Sequence, residues 1–433
     1  MQTALTWMGD LQTAPTTDMN GTIMPDTVME VKLDKLVYGG DAMGRLEDGR
    51  AVFVPYALPG ETARVRMVTE KRGHVRAELV KVLEASPDRI AARCKHFTAC
   101  GGCHYQHMSY ARQLEVKRQV VVEQFQRMAG VEDPPVEAVV PSPAEWYYRN
   151  TVQFSQTEDG RLGFQAAGTR RVIPITECFL PEEGINQIWP QLNLESVPGL
   201  NRIELRQADN GEMLVMAGDD ELPPEMELEL PISAVYLSPE KGPMIMAGDE
   251  FGIIHIKERP FSFHAGSFFQ VNTAQAEAMV EHVMSLLSLT PETIALDVYC
   301  GVGLFSAFIA PHVAQLIGIE YSGLACEDFA VNLDEFDNVS IYQGAAEKIL
   351  PSLEVQPDVV VVDPPRAGLK PEALEALVKM EAGTFVYISC DPATLARDVK
   401  RLMSAGYRLE RITPFDLFPQ TYHVETVVLL RKS

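Results

Sequence analysis

Leu296-Asp297-Val298-Tyr299-Cys300-Gly301-Val302-Gly303 decides the fold class: an apolar strand runs straight into a glycine-rich turn. Glycine lets a main chain approach a ligand closely. Glu320 ends the next apolar stretch, 17 residues after Gly303. An acid at that place can accept hydrogen bonds from both hydroxyls of a ribose. A G-x-G run alone also fits a tight structural turn. This one lacks the full G-x-G-x-x-G and any basic phosphate partner, so S-adenosylmethionine (SAM) fits it better than NAD.

Around that stretch, helix and strand alternate from about residue 266. The spacing predicts helices at 274–289, 304–310, 371–380 and 392–404, and strands at 294–298, 316–320, 339–343, 359–362, 384–389 and 425–431. Apolar, β-branched strands predict a parallel sheet covered on both faces. Upstream, 145–265 is strand-rich, with turns at Asp159-Gly160 and Asn210-Gly211 and an acidic, Pro-rich loop at 219–231. A helix opens at Ser109 and runs to about Gly130, with Leu114, Val121, Phe125 and Met128 on one face. Residues 27–85 read as a small β-barrel, with strands at 28–33, 51–55 and 62–67 and turns at Gly39-Gly40 and Gly44. Arg64, Arg66, Lys71, Arg72 and Arg76 suit an oligonucleotide-binding barrel. They suit any small barrel with a wet face equally well.

The net charge of -23 argues against a polyanionic partner only if it is read globally. Residues 1–30 carry no basic and four acidic groups, 31–130 carry 17 and 11, and 131–433 carry 20 and 45. Only the segment 31–130 is basic, so RNA contact should lean on it. No apolar run is long enough to span a bilayer. The first 30 residues hold no Lys or Arg, so the basic start of an export signal is absent. Residues 1–26 read as a disordered tail, with Met19, Met24 or Met29 as alternative starts, and the protein as cytoplasmic.

Four motifs carry chemistry. Asp363-Pro364-Pro365-Arg366 follows a strand, at the edge where open α/β sheets bind ligands. Amino-group methyltransferases place an aromatic ring where Arg366 stands, so that reaction is disfavoured. Cys390 follows the strand 385–389, and the helix start after Pro392 is positioned to favour a thiolate. A thiolate adding to C6 of uracil makes C5 nucleophilic towards a methyl sulfonium, and a base must then remove the C5 proton. Glu425, by position alone, reads as a surface glutamate. Cys300 and Cys326 read as inert packing. Of the seven cysteines, Cys94, Cys100 and Cys103 are closely spaced and Cys178 is distant, a set that suits an iron–sulfur cluster or zinc.

Taken together, "CKHFTACGGCHYQH", "YYRNTVQFS", "GSFFQVN", "LDVYCGVGLFS", "GIE", "VVDPPRAGL", "SCDPATLARD" and "HVETVVLL" make the chain resemble the RNA 5-methyluridine (uridine-C5) methyltransferases over about 27–433. The nearest type is the iron–sulfur, TRAM-containing enzymes of 23S ribosomal RNA, and "YGGDAMGRLEDGRAVFVPYALPGETARVRM" resembles a TRAM domain. The resemblance implies a multidomain α/β protein: a TRAM, OB-like β-barrel at 27–85, a central β-rich iron–sulfur and RNA-contacting domain at 86–265, and a class I, Rossmann-like SAM methyltransferase domain at 266–433. It implies that the helix at 109–130 packs on the last of these.

By the same resemblance Cys390 is the nucleophile and Glu425 the base. Gln270, Tyr299, Glu320 and Asp363 contact SAM, Phe268 or Phe269 packs near the target base, and Cys94, Cys100, Cys103 and Cys178 hold a [4Fe–4S] cluster. The implied partner is RNA, 23S ribosomal RNA first and transfer RNA as the alternative, with no membrane and no obligate protein partner. Two residues depart from the pattern: Leu304, where relatives often have a small polar residue, and Ala345, where a polar contact to adenosine is common. Cytosine-C5 enzymes usually carry a second cysteine after the proline where this chain has Pro365-Arg366, which favours uracil. A non-catalytic RNA-binding or folding factor is the reading of a different class, and intact Cys390 and Glu425 oppose it.

Overall fold

The computed structural model describes residues 27–192, 194, 199–225 and 229–433. The tail at 1–26, with Met19 and Met24, and part of the loop expected at 219–231 lie outside the described residues. The chain forms two compact units, one ending at Ile90 and one spanning Ala91–Ser433. The boundary expected near residue 265 is not a division between units.

The first unit is a closed barrel of β1 (Val28–Leu36), β2 (Ala42–Arg45), β3 (Ala51–Val54), β4 (Thr62–Glu70) and β5 (His74–Glu84), in the order β1-β2-β3-β5-β4. Val31, Leu33, Val52, Val54, Ala63, Val65, Val75 and Ala77 are buried, every second residue of their strands. That is the period of a strand with one face inside. β2 escaped the sequence reading because it is short and centred on Gly44, where an added β-carbon would stand 2.2 Å from the Lys32 carbonyl oxygen. The buried Glu61 accepts from Leu58 N at 2.8 Å and from Arg89 Nη2 at 2.8 Å, which extends the unit past residue 85. Lys71, Arg72 and Arg76 are exposed around the β4–β5 hairpin.

The second unit opens on the cysteine loop and α1 (Tyr110–Gln124), which Ser109 caps by accepting from Arg112 N. Its last turn, Phe125–Ala129, widens to a π-helix and stops at Gly130, φ 76°. A seven-stranded sheet follows, in the order β12-β11-β10-β9-β6-β7-β8. Its strands are β6 (Thr151–Gln156), β7 (Leu162–Gln165), β8 (Val172–Pro174), β9 (Leu200–Ala208), β10 (Gly211–Gly218), β11 (Ser233–Ser238) and β12 (Gly242–Ala247), with α2 (Glu183–Ile188) between β8 and β9. A separate hairpin, β13 (Phe251–Ile256) and β14 (Arg259–His264), leads to α3 (Thr273–Leu286), capped by Asn272.

The remaining elements are β15 (Ile294–Val298), α4 (Ser306–Ile309), β16 (Gln315–Glu320), α5 (Gly323–Asn332), β17 (Val339–Gln343), α6 (Ala346–Ile349), β18 (Val359–Val362), α7 (Pro371–Lys379), β19 (Thr384–Ser389), α8 (Pro392–Ser404), β20 (Tyr407–Phe415) and β21 (Glu425–Lys432). They build a second seven-stranded sheet, β17-β16-β15-β18-β19-β21-β20. Val359 and Val361 of β18 pack with α3, α4 and α5, and Val360 and Val362 pack with α1, α7 and α8. Both faces are therefore covered.

The expectation of a parallel sheet holds for five strands and fails at β21, which is antiparallel to β19 and to β20. The connection 416–424 is shorter than the dozen or so residues that a parallel crossover needs. β20 went unread because it is an edge strand with a register shift between Leu409 and Arg411 and alternates charges on its outer face. The inner face of α5 includes two polar residues, Asp328 and Asn332. Asp328 accepts from His264 N at 3.1 Å, and Asn332 Nδ2 donates to Ser262 O at 2.9 Å. Among the described residues no helix is long and apolar enough to cross a membrane.

Candidate active site

Strand register brings the chemistry together. Val362 of β18 pairs with Tyr387 of β19, and Ser389 of β19 pairs with Thr426 of β21. Cys390 and Glu425 are the next residues past that last pair, close enough for the Glu425 charge to act on the thiol. Asp363 follows β18, and its N–H donates to Val298 O at 3.2 Å, next to Tyr299. Tyr299, Asp363, Cys390 and Glu425 thus end four neighbouring strands along one sheet edge.

The first turns of α8 hold this edge in place. Asp391 Oδ1 accepts from Ala393 N at 3.0 Å and Thr394 N at 2.9 Å. That carboxylate uses the helix N-terminus that was expected to favour the Cys390 thiolate. The cation beside the thiol is instead Arg366, which hydrogen-bonds it. Thr394 Oγ1 donates to Arg366 O at 3.0 Å, Arg397 Nη2 to Ala367 O at 2.9 Å, and Leu369 N to Asp398 Oδ2 at 2.9 Å. The run Ser389–Asp398 therefore fixes the loop after Asp363. From sequence Arg366 counts against amino methylation and against a cytosine target; its place beside the thiol is not legible there.

Burial dominates the electrostatics. It pushes the Cys390 thiol up to about 11, aided by the charges of Glu425 and Asp363 and opposed by Arg366. It pushes Asp363 up to about 7, with the charge of Asp297 adding to the effect. Glu425, 4% exposed, is driven well above the carboxylate range by burial and then by Asp363, again against Arg366. Its Oε1 has no hydrogen-bond partner among the described residues. His423 is held down to about 3 by burial and by Arg366, so it is neutral at ordinary pH.

A raised thiol pKa means the thiolate is scarce below it. Alkylation of Cys390 by iodoacetamide, followed by peptide mass spectrometry, should therefore climb about tenfold per pH unit from pH 7 towards about 11. A plateau near pH 8 would contradict this electrostatic picture.

The glycine loop is braced from β16. Tyr299 N and Cys300 N donate to Ile319 O at 2.8 and 3.2 Å. Tyr299 itself is left-handed, φ 65°, which is uncommon for a bulky residue. Glu320 Oε2 accepts from Gly301 N at 3.1 Å, and Oε1 accepts from Tyr321 N and Ser322 N, both at 2.7 Å. Glu320 thus shapes the loop, and its oxygens keep further lone pairs for a ribose. At Gly301 an added β-carbon would meet nothing within 4 Å, so the loop opens onto free space. Leu304 is in the core, and Ala345 precedes α6 without capping it. Cys300 and Cys326 are buried.

Gln270 sits in a segment tied down at several points. Arg206 Nη1 donates to Ser267 O at 2.7 Å, Asn150 Nδ2 to Gln270 O at 3.0 Å, and Asn272 Nδ2 to Leu417 O at 3.3 Å. The structure separates the two candidate phenylalanines. Phe269 packs against Phe263 and Phe261, whereas Phe268 is 68% exposed.

Cys94, Cys100, Cys103 and Cys178 line one cavity of about 180 Å³ together with Gln106, Arg149 and Phe179. His96 N donates to Cys94 Sγ and Gly102 N to Cys100 Sγ, each at 3.4 Å. Burial raises all four thiols, Cys178 to about 12. Among the described residues, no group of three or more His, Cys, Asp or Glu side chains is arranged to hold a metal ion.

Comparison with known proteins adds to this geometry. The tRNA (uracil-5-)-methyltransferase family profile matches residues 249–356 and 349–433, and the TRAM domain profile matches 24–80. An uncharacterized RNA methyltransferase of Streptomyces coelicolor is 33% identical over 428 residues, covering 93% of each chain. One of Halalkalibacterium halodurans is 32% identical over 443 residues, covering 93% of this chain and 96% of its own. Among solved structures, the Pyrococcus abyssi tRNA (uracil-54, C5)-methyltransferase in complex with S-adenosyl-L-homocysteine is 27% identical, with a TM-score of 0.69, over 93% of this chain and all of that one.

Proposed function

Because the chain belongs to the RNA uracil-5-methyltransferase family and carries a TRAM domain, we propose that it methylates C5 of a uridine in structured RNA with SAM as donor, Cys390 as nucleophile and Glu425 as base. The observation that supports this most is that Cys390 and Glu425 directly follow the last β19–β21 pair at the open edge, with the charges of Glu425 and Arg366 both acting on the thiol. Arg366 favours the thiolate. Its sulfur bonds C6, the C5 carbanion so formed takes the methyl group from the sulfonium, Glu425 accepts the C5 proton, and the C6–S bond breaks to restore the ring. Asp363 and Glu425 lie buried near one arginine, so like-charge repulsion leaves room for about one negative charge on the pair. Tyr299, Glu320, Gln270 and Asp363 are the residues that would hold SAM. A target uridine would have to be unpaired or flipped out, and exposed Phe268 is placed to stack on it.

We assign Cys94, Cys100, Cys103 and Cys178 to a [4Fe–4S] cluster. The support is four desolvated thiols around one cavity, two of them already accepting backbone N–H groups. A zinc ion would need all four sulfurs about 2.3 Å from a single point. When bound, the cluster would cross-link the segment 94–103 to Cys178. Protein purified without oxygen should contain about four iron and four sulfide per chain. Stoichiometric zinc without iron would sink the assignment.

The substrate we place first is 23S ribosomal RNA, on the joint presence of the TRAM barrel and the cysteine cavity. Transfer RNA is the second reading, favoured by the likeness to the Pyrococcus abyssi tRNA enzyme. Both are tested by incubating ribosomal and transfer RNA with the protein and methyl-labelled SAM and mapping 5-methyluridine by mass spectrometry. Label at a ribosomal site supports the first, and label only in transfer RNA replaces it with the second. No 5-methyluridine in either, from protein that binds SAM, overturns the reaction itself.

A further inference from the structure

We infer that Gln113 is a positioning residue: it latches the cysteine loop to the segment 416–424 and thereby sets the aim of Glu425. The inference rests on Glu425 being the base.

The segment 416–424 is held by the buried Lys117–Asp416 pair at its start and, beyond it, largely through its main chain. Leu417 O accepts from Asn272 Nδ2, Phe418 O from Lys117 Nζ at 3.0 Å, Pro419 O from Tyr148 OH at 3.0 Å, and Gln420 O from His104 N at 2.8 Å and Tyr105 N at 3.0 Å. His104 and Tyr105 directly follow Cys103. Gln113, 1% exposed, closes the latch. The two hydrogens of its Nε2 are shared among Gln420 Oε1 at 3.0 Å, Met108 O at 3.2 Å and Tyr105 O at 3.3 Å, and its Oε1 accepts from Gln420 N at 3.0 Å. A single side chain thus joins the chain after Cys103 to the chain before Glu425.

Gln420 is held left-handed, φ 68°, a conformation that a residue other than glycine keeps only when its surroundings impose it. From there the path to the base is short. His423 N donates to Thr421 Oγ1 at 3.2 Å, and the rings of His104, Tyr422 and His423 pack in series, with centroids 4.6 and 4.2 Å apart. Glu425 Oε1 has no hydrogen-bond partner among the described residues. Its direction therefore follows from where the main chain puts it, which the pairing of Glu425 with Phe415 on one side and the latched segment before it on the other set together.

A merely structural glutamine would, on removal, lower stability and every kinetic parameter together. A positioning residue slows the step that needs Glu425 and spares the steps before it. The test uses the full-length protein and Gln113→Leu, which keeps the bulk and removes the hydrogen bonds. With uridine RNA, kcat should fall about 10- to 100-fold while KM for RNA and SAM stays within about twofold, the pattern of a lost transition-state contact. A denaturation-stable protein–RNA adduct should accumulate, because the C5 proton leaves late. Hydrogen exchange of peptides covering 416–424 should speed up in the free protein.

Gln420→Ala removes the other half of the latch and leaves α1 intact. It should show the same pattern more weakly, and it carries the test if Gln113→Leu does not fold. Parent-like kcat in both variants, or losses in kcat, affinity and adduct together, would overturn the latch. RNA containing 5-fluorouridine keeps the two levels apart. Parent protein that fails to form a Cys390-dependent adduct with it overturns the Cys390–Glu425 chemistry, whereas an adduct in the parent with no effect of either variant overturns the latch alone.

Discussion

Cys390→Ala should abolish 5-methyluridine formation, with a loss of at least about 10⁴-fold, as expected when a covalent route loses its nucleophile. It should also abolish the adduct with 5-fluorouridine RNA, while SAM and RNA affinities stay within a few-fold. The argument is local. Cys390 is half-buried at the end of β19, and its thiol contacts Arg366 rather than filling a core. Truncation therefore leaves a small gap and an arginine that can turn to Asp363 or Glu425, so the fold should hold. A thermal melt run beside the assay checks that. Uracil C5 has no other route to nucleophilicity at this edge, since Cys300 and Cys326 are buried and belong to the glycine loop and α5. Methylation above about one per cent of the parent rate would mean that the thiol assists rather than carries the reaction.

The strands on either side of this thiol were legible in the sequence, and the pairing that matters was not. Residues 294–298, 359–362 and 384–389 read as strands because apolar, β-branched runs buried on both faces have few alternatives. The motifs beside them could be placed at strand ends for the same reason. Glu425 was different: on position it looked like a surface residue. Its burial follows from β21 inserting antiparallel between β19 and β20, a choice made by loop length and register over long sequence separation.

The cysteines show the same division. The close trio was visible by spacing. Cys178 joins it where Lys95 N donates to Glu177 Oε1 and Thr176 N to His96 Nε2, which holds the segment after β8 beside the loop. Gln113 and Lys117 were invisible as functional residues, since a buried polar face on α1 looks from sequence like a solvated one. Lys117 Nζ in fact sits 2.5 Å from Asp416 Oδ1 with neither side chain exposed.

Glu425→Gln should separate the steps of the reaction. The amide keeps the size of the side chain and resembles the protonated carboxyl that burial and Asp363 favour in the free protein. Binding, thiolate addition and methyl transfer should therefore proceed, and only the acceptor for the C5 proton is gone. Turnover should drop about 10²- to 10⁴-fold, the range spanned by a general base. One equivalent of SAM per protein should be consumed in a burst, and ordinary uridine RNA should stay attached through a bond that survives denaturation and disappears in the Cys390→Ala/Glu425→Gln double variant. Arg366 sharpens the outcome. In the parent its charge is divided between the thiol and Glu425. At any pH where Glu425 of the parent is ionised, the Gln variant lacks the charge that opposes the thiolate, so there it should alkylate faster than the parent. Turnover within tenfold of the parent and no stable adduct would move the proton to another group. Two titratable groups on this edge come into question: Asp363, raised to about 7, and His423, held neutral with its pKa near 3. His423 is too weak a base at neutral pH to take that role, so Asp363→Asn would be the variant left to decide it.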